Sequence, residues 1–144
     1  MSEQFDLQRF VDAQKTVVDV VFAELAAGRK QTDWMWFVFP PLAGVFEDDM
    51  ARRYAISGLD EARAYLAHPL LGARLEECCR LLLDSGGATA ESILGSSDAL
   101  GLRACMTLFG QLHYEGIFDE VLAAHFDGLQ DATTLEILAG SMQE

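Results

Sequence analysis

Basic residues are scarce in this sequence. It holds 10 Lys and Arg against 23 Asp and Glu, which gives a formal charge of −13. Such a chain repels a phosphate backbone unless a local basic patch outweighs the whole, and its basic residues are scattered. We therefore expect no nucleic-acid partner. No Lys or Arg follows Arg103, whereas seven acids do, so the C-terminal part is predicted to be an acidic surface, which could serve solubility alone.

Proline, glycine and cysteine are scarce as well. Only 3 Pro and 12 Gly occur in a chain that is 51% apolar and 23% charged, a balance that excludes disorder and linker-dominated architectures. The three cysteines match neither a disulfide framework nor a zinc-ligand spacing. We interpret Cys78, Cys79 and Cys105 as core thiols of a protein in a reducing compartment.

Long hydrophobic runs are missing. The longest uncharged stretch, residues 34–46, is shorter than the roughly 20 residues that cross a bilayer, and it contains Pro40, Pro41 and Gly44. The N-terminus carries Glu3 and Asp6 and no basic stretch before an apolar segment, unlike an export signal. We expect a cytoplasmic protein without membrane association.

Apolar residues recur at helical spacing, and no segment shows the sustained alternation or the turn sequences of β-hairpins. Because 144 residues is the usual length of one domain, the predicted fold is all-α: a compact single-domain bundle of about seven or eight helices over residues 4–140. Residues 1–3 and 141–144 are expected to be frayed ends. The first helix is predicted over residues 7–25 with Asp6 as N-cap and Gly28 as stop. A longer one is predicted from Ala99 to about Tyr114, behind residues 96–98 as cap.

Aromatic residues are concentrated in one short segment. Residues 34–39 contain both tryptophans of the chain and two of its nine phenylalanines. Indole rings can wall a pocket and stack on a planar ligand or a cation. They can equally fill the space where short helices meet. Both interpretations stay open for Trp34 and Trp36.

Arg103 is the candidate anion anchor. On the predicted helix, Arg103, Thr107 and Tyr114 share a narrow stripe at the border of the apolar face. A guanidinium beside a hydroxyl can bind a carboxylate or a phosphate through paired hydrogen bonds. The alternative is a structural ion pair with one of the many acids.

The histidines do not indicate a metal site. His68, His113 and His125 are not spaced as ligands on one helix face, so we expect no metal and no cofactor. His68 precedes Pro69 at a helix junction and is interpreted as a helix cap, with a general base at a pocket rim as the alternative. The sequence contains no nucleophile elbow and no phosphate-binding glycine loop. It therefore assigns no reaction and leaves open whether the protein is an enzyme.

Several segments of the chain match a known sequence pattern: residues 6–11, 34–40, 53–56, 64–72 with 74–75, and 106–109. They resemble a bacterial family filed as domain of unknown function 1810, some of whose members have carried the label calpastatin. The resemblance covers nearly the whole chain and implies a compact all-helical fold without an established activity. This chain has Asp33, Pro41 and Cys105 where the family pattern has polar residues. If those polar residues form the working site of the family, this chain is expected to bind something different or to have lost the activity.

These observations predict a small-molecule pocket walled by Trp34 and Trp36, with Arg103 as the anchor for a planar or anionic metabolite. Further polar contacts would come from the candidate residues Thr107, His68 or Tyr54. The alternative is a protein-interaction or regulatory module without catalysis, whose partner is unknown and would bind the aromatic patch or the acidic face. A third possibility is that all these residues serve the fold alone. The pocket hypothesis requires Trp34 and Arg103 to face one cavity.

Overall fold

The computed structural model describes residues 5–112 and 116–142. Within these ranges the chain forms ten α-helices and no β-strand, which confirms the all-α prediction. Seven helices have eight or more residues, and three are single turns. The helices are α1 (Gln8–Lys15), α2 (Val18–Ala27), α3 (Met35–Val38), α4 (Asp49–Arg53), α5 (Leu59–Ala67), α6 (Leu71–Leu83), α7 (Ala90–Leu94), α8 (Ser96–Gly110), α9 (Ile117–Phe126) and α10 (Ala132–Met142).

The first predicted helix is two helices, so the prediction of one continuous helix over residues 7–25 is wrong. α1 ends at Lys15 and α2 begins at Val18. The three β-branched residues at 16–18 disfavour a continuous helix because their χ1 freedom is restricted by the preceding turn. The predicted N-cap is also wrong, since Leu7 occupies that position without a side-chain hydrogen bond. The predicted stop is confirmed: Gly28 ends α2 in the left-handed conformation at φ 77°.

Helix α8 lies at the centre of the molecule. It packs against α3, α5, α7, α9 and α10, and from Leu102 to Gly110 all of its residues except Arg103 are buried. A helix that is apolar nearly all round is a core helix. It begins at Ser96, so residues 96–98 form its first turn and are not the predicted cap. Its described part ends at Gly110, and Tyr114, where the prediction ended it, lies outside the described residues.

Two features follow the segment that carries the tryptophans: a pair of prolines that ends α3, and a bridge after them. Phe39 ends α3, as the two following prolines predict. After them, a parallel bridge joins Leu42 to Ile56, with hydrogen bonds from Ala43 N to Ile56 O and from Ile56 N to Pro41 O, both 2.8 Å. The bridge ties the chain after α3 to the chain after α4. This position puts α3 against α8.

No described helix combines the length and the apolarity that a bilayer crossing requires. The extent of the single domain stays a prediction, and so do its frayed ends. Helix α10 continues to Met142, while residues 1–4 and 143–144 lie outside the described ranges.

Candidate functional site

Both tryptophans border one open cavity of about 260 Å³. It lies where the loop between α2 and α3, the helix α3, the helix α4 and the first turn of α8 meet. Its lining mixes indole and thioether groups with one ammonium and two carboxylates. The lining residues are Lys30, Asp33, Trp34, Met35, Trp36, Phe37, Met50 and Asp98.

The loop before α3 is held by one carboxylate, that of Glu24 on α2. It accepts hydrogen bonds from the backbone N–H groups of Gln31 at 2.9 Å and Thr32 at 3.3 Å, and from the Thr32 hydroxyl at 3.0 Å. The indole Nε1 of Trp34 donates to the same carboxylate at 2.8 Å. Desolvation opposes ionisation of Glu24, but these hydrogen bonds outweigh it and lower the pKa of the carboxyl. Four hydrogen bonds from the loop and from Trp34 thus converge on this one carboxylate.

An ion pair forms part of the cavity wall. The Nζ of Lys30 lies 3.0 Å from the Oδ2 of Asp98, and the side chains are only 9% and 22% exposed. The same ammonium lies 5.3 Å from the centroid of the Trp34 ring, within the range of a cation–π contact. The backbone N–H of Lys30 donates to the carbonyl of Ile93 at 2.7 Å, which ties the loop to α7. The charged head is thus positioned by both its backbone and its carboxylate partner.

Trp36 is the half-buried indole of the pair. Its ring lies 5.1 Å from the ring of Phe46 and packs against α8 at Gly101. A Cβ at Gly101 would come within 3.3 Å of the Cζ3 atom of Trp36. Glycine costs helix stability in the middle of α8, and here it lets the helix approach the indole closely. The ring of Trp36 can therefore pack on α8 and still line the cavity.

Arg103 and Thr107 lie away from this cavity. The Nε and Nη2 atoms of Arg103 donate to the carbonyls of Leu129 at 3.1 Å and Gln130 at 2.9 Å. The hydroxyl of Thr107 donates to the carbonyl of Arg103 and accepts from the backbone N–H of Asp131, both at 2.8 Å. The two residues share a stripe, as predicted, but the stripe fixes the connection between α9 and α10. Among the described residues, neither Arg103 nor Thr107 lines the cavity of the tryptophans, so the predicted pocket shared by Trp34 and Arg103 is wrong.

Tyr54 and His68 lie at two further places. Tyr54 is buried, with its ring 5.9 Å from that of Phe10 and 5.3 Å from that of Phe37. The Nδ1 of His68 accepts a hydrogen bond from the backbone N–H of Leu70 at 3.0 Å, at the start of α6. The side chain of His68 thus forms a local hydrogen bond with the backbone ahead of α6, but the N-cap residue of that helix is Leu70, without a side-chain hydrogen bond. Of the six candidate residues, the structure brings only Trp34 and Trp36 together at the cavity.

Sequence reasoning missed the polar half of the site. Lys30 lies only four residues before the first tryptophan, and this proximity was the signal that could have singled it out. Asp98 was interpreted as part of a cap, and nothing local relates it to Lys30. Of the positions that depart from the family pattern, Asp33 lines the cavity, whereas Pro41 and Cys105 are buried.

Metal binding finds no support in the described residues, which hold no group of three or more His, Cys, Asp or Glu side chains able to share an ion. The three cysteines are buried, and the Sγ of Cys79 lies 3.7 Å from the Sδ of Met106. Burial raises the pKa of all three thiols, so they are not activated nucleophiles. His113 lies outside the described residues.

The molecule is thus an all-helical domain with an indole-walled cavity beside a partly buried ion pair. It belongs to the family described as protein of unknown function (DUF1810), whose family model matches residues 4–138. It is similar to a conserved hypothetical protein, Rv1873 from Mycobacterium tuberculosis, whose crystal structure shares 46% sequence identity and a TM-score of 0.92. That match covers 95% of this chain and 99% of the mycobacterial one. None of the curated proteins matches the chain. The family that the sequence motifs indicated is confirmed.

Proposed function

We propose that this protein binds a small planar metabolite in the cavity beside its tryptophans. The observation that carries the proposal is the meeting of both tryptophans with a partly buried Lys–Asp pair on one cavity wall. Pockets for small molecules combine an apolar, aromatic lining with a few polar groups at defined positions. This lining has that composition.

The size of the cavity limits the ligand. Its volume of about 260 Å³ lies just below the range of roughly 300–1,000 Å³ that is typical of pockets for drug-sized molecules. A ligand of one or two fused rings fits such a space, whereas a dinucleotide does not. The loop of the cavity is already fixed by the carboxylate of Glu24, so binding orders few additional groups and costs less entropy.

The charges of the lining disfavour an anionic ligand, whereas its indole rings suit a planar one. One ammonium, that of Lys30, stands against the two carboxylates of Asp33 and Asp98. Arg103, the anion anchor expected from the sequence, is engaged by two backbone carbonyls. We therefore retain the planar part of the ligand hypothesis, and the proposal concerns binding without a reaction.

The cavity has a built-in spectroscopic probe, because both tryptophans of the chain line it. We expect at least one planar compound from a small panel to change the tryptophan fluorescence saturably and to raise the melting temperature. A ligand present at 100 times its Kd stabilises the folded state by about 2.7 kcal/mol. The panel is adenine, adenosine, nicotinamide, benzoate and the cation 1-methylnicotinamide.

Two variants separate cavity binding from surface adsorption. Trp36→Leu should abolish the stabilisation by the ligand, because it removes the half-buried ring while leaving Trp34 in place. Phe126→Leu is the matched control, since Phe126 is also half-buried but lies on α9, outside the cavity lining. If no member of the panel at millimolar concentration alters fluorescence or melting temperature, the proposal is refuted.

A further inference from the structure

We infer that the cavity selects a planar heterocycle with a hydrogen-bond acceptor and a donor side by side on one edge, as in a nucleobase or nucleoside, and disfavours anionic ligands such as the phosphorylated form. This inference rests on the proposed function and narrows its ligand class. It follows from the charges, from the polar atoms of the ion pair and from the half-buried indole of Trp36.

The charges disfavour an anionic ligand. Lys30 and Asp98 neutralise each other at 3.0 Å. Asp33 is exposed and has no hydrogen bond or ion pair with the described part of the chain, so the lining keeps one uncompensated negative charge. A phosphate would face that carboxylate and the carboxylate of Asp98.

The first turn of α8 offers no compensation to an anion. A helix N-terminus attracts negative charge through its unpaired N–H groups. Here Asp98 stands in that turn, so a carboxylate of the chain already occupies the favourable position. This makes the end of α8 facing the cavity a poor phosphate site.

The Lys30–Asp98 ion pair is complementary to a ligand edge that carries both a hydrogen-bond acceptor and a donor. The ammonium of Lys30 carries three N–H donors, and within the described residues one of them is engaged, by Asp98. Asp98 uses one of its oxygens for Lys30 and retains acceptor capacity. A donor and an acceptor therefore stand next to each other on the cavity wall. Adenine presents the complementary pattern, a ring-nitrogen acceptor beside an amino donor.

Trp36 supplies the stacking surface. Its ring packs against Phe46 on one side and against α8 at Gly101 on another. The residue is nevertheless only half-buried, and it lines the cavity. Every nucleobase has a π-face, so its ring can stack on the indole of Trp36. The Lys30–Asp98 pair then forms hydrogen bonds with the polar edge of the ring. Stacking and edge recognition together require a ligand that is both planar and polar along one side.

The test compares matched ligands by isothermal titration calorimetry on the full chain. Adenine and adenosine should bind, and adenosine 5′-monophosphate at least tenfold more weakly than adenosine. Benzoate, an anion without a donor on its polar edge, should bind at least tenfold more weakly than adenine. Lys30→Met and Asp98→Asn should each lower the affinity for adenine at least tenfold. Lys15→Met and Asp19→Asn are the controls, because Lys15 is an exposed lysine and Asp19 an exposed acid in a first helical turn.

Asp33→Asn keeps the inference testable even if the ion-pair variants fold poorly, since Asp33 is exposed. It should raise the affinity for adenosine 5′-monophosphate relative to that for adenosine, a gain that loss of the fold cannot produce. If the monophosphate or benzoate binds as tightly as adenosine, the inference is wrong and the planar-ligand cavity stands. The same holds if folded Lys30→Met binds adenine as the wild type does. If no planar compound of any charge binds, the proposed function itself fails.

Discussion

Replacing Glu24 with alanine should destabilise the fold at the loop that builds the cavity. The carboxylate accepts four hydrogen bonds from residues 31, 32 and 34, at 2.8 to 3.3 Å. Alanine accepts none of them. The donors on Gln31 and Thr32 belong to exposed residues and can turn to water, whereas Trp34 is only 1% exposed.

The expected loss follows from this difference in exposure. A buried donor left without an acceptor costs about 1–3 kcal/mol, and the three exposed hydrogen bonds together contribute about 1 kcal/mol because water replaces them. We therefore expect Glu24→Ala to lower the free energy of unfolding by about 2–4 kcal/mol, a large fraction of the 5–15 kcal/mol typical of a domain. Urea denaturation followed by circular dichroism measures it as a shift of the midpoint at constant m-value.

The control is Glu136→Ala, at an exposed position of α10, which should change stability by no more than about 0.5 kcal/mol. A similarly small effect of Glu24→Ala would refute the reasoning, because it would mean that the indole N–H finds another partner. The loop would then not depend on this carboxylate.

The contribution of Glu24 should also depend on pH. Its pKa is lowered in the folded protein, so its stabilisation is complete above the unfolded pKa of about 4.3 and disappears as the pH falls through the folded value. The stability difference between wild type and Glu24→Gln should therefore be constant from about pH 7 to pH 5 and shrink at lower pH. A difference that does not change at low pH would contradict the role of the charged form.

Three further predictions concern other parts of the molecule. Arg103→Met should lower the unfolding free energy by about 1–3 kcal/mol, because two hydrogen bonds to carbonyls are lost, and should leave the affinity for a planar ligand unchanged; a loss of affinity alone would restore the anchor hypothesis. Gly72→Ala should destabilise by at least about 2 kcal/mol, since a Cβ there collides with the carbonyl oxygen of Leu66, whereas Gly140→Ala, with open space around it, should stabilise by up to about 1 kcal/mol in the same urea assay. Burial raises the pKa of Cys78 to about 12 and shields all three thiols, so a disulfide reagent at about pH 8 should react only after denaturant is added; rapid reaction of the folded protein would contradict the buried positions.

The helical fold was predictable because its signals are local. Gly28 and the two prolines at 40–41 mark helix ends by their own backbone preferences, and the structure confirms both boundaries. The break between α1 and α2 was missed for a physical reason. Both helices bury side chains in the same core, Phe10 from α1 and Val21 from α2, so the apolar spacing continues across the break.

The candidate site was predictable only in part. The aromatic concentration at residues 34–39 is a property of one segment, and it located the cavity. The pairing of Lys30 with Asp98 depends on how α8 packs against the loop after α2, which no local pattern contains. Arg103 shows the converse case: its position on the helix was predicted, but its partners at 129 and 130 are set by the packing of α9 and α10 on α8.

The two tryptophans differ in their roles. The sequence left two interpretations open for each of them, core packing and a pocket wall. Trp34 is 1% exposed and its Nε1 is satisfied by Glu24, so its ring gives the cavity its shape and contributes to the core. Trp36 is half-buried and packs against a glycine, which leaves ring surface for a ligand. The core interpretation thus holds for one indole and the pocket interpretation is proposed for the other. The proposed recognition therefore requires both: Trp34, buried and bonded to Glu24, shapes the cavity, and Trp36, half-buried, would supply the surface for a planar ring.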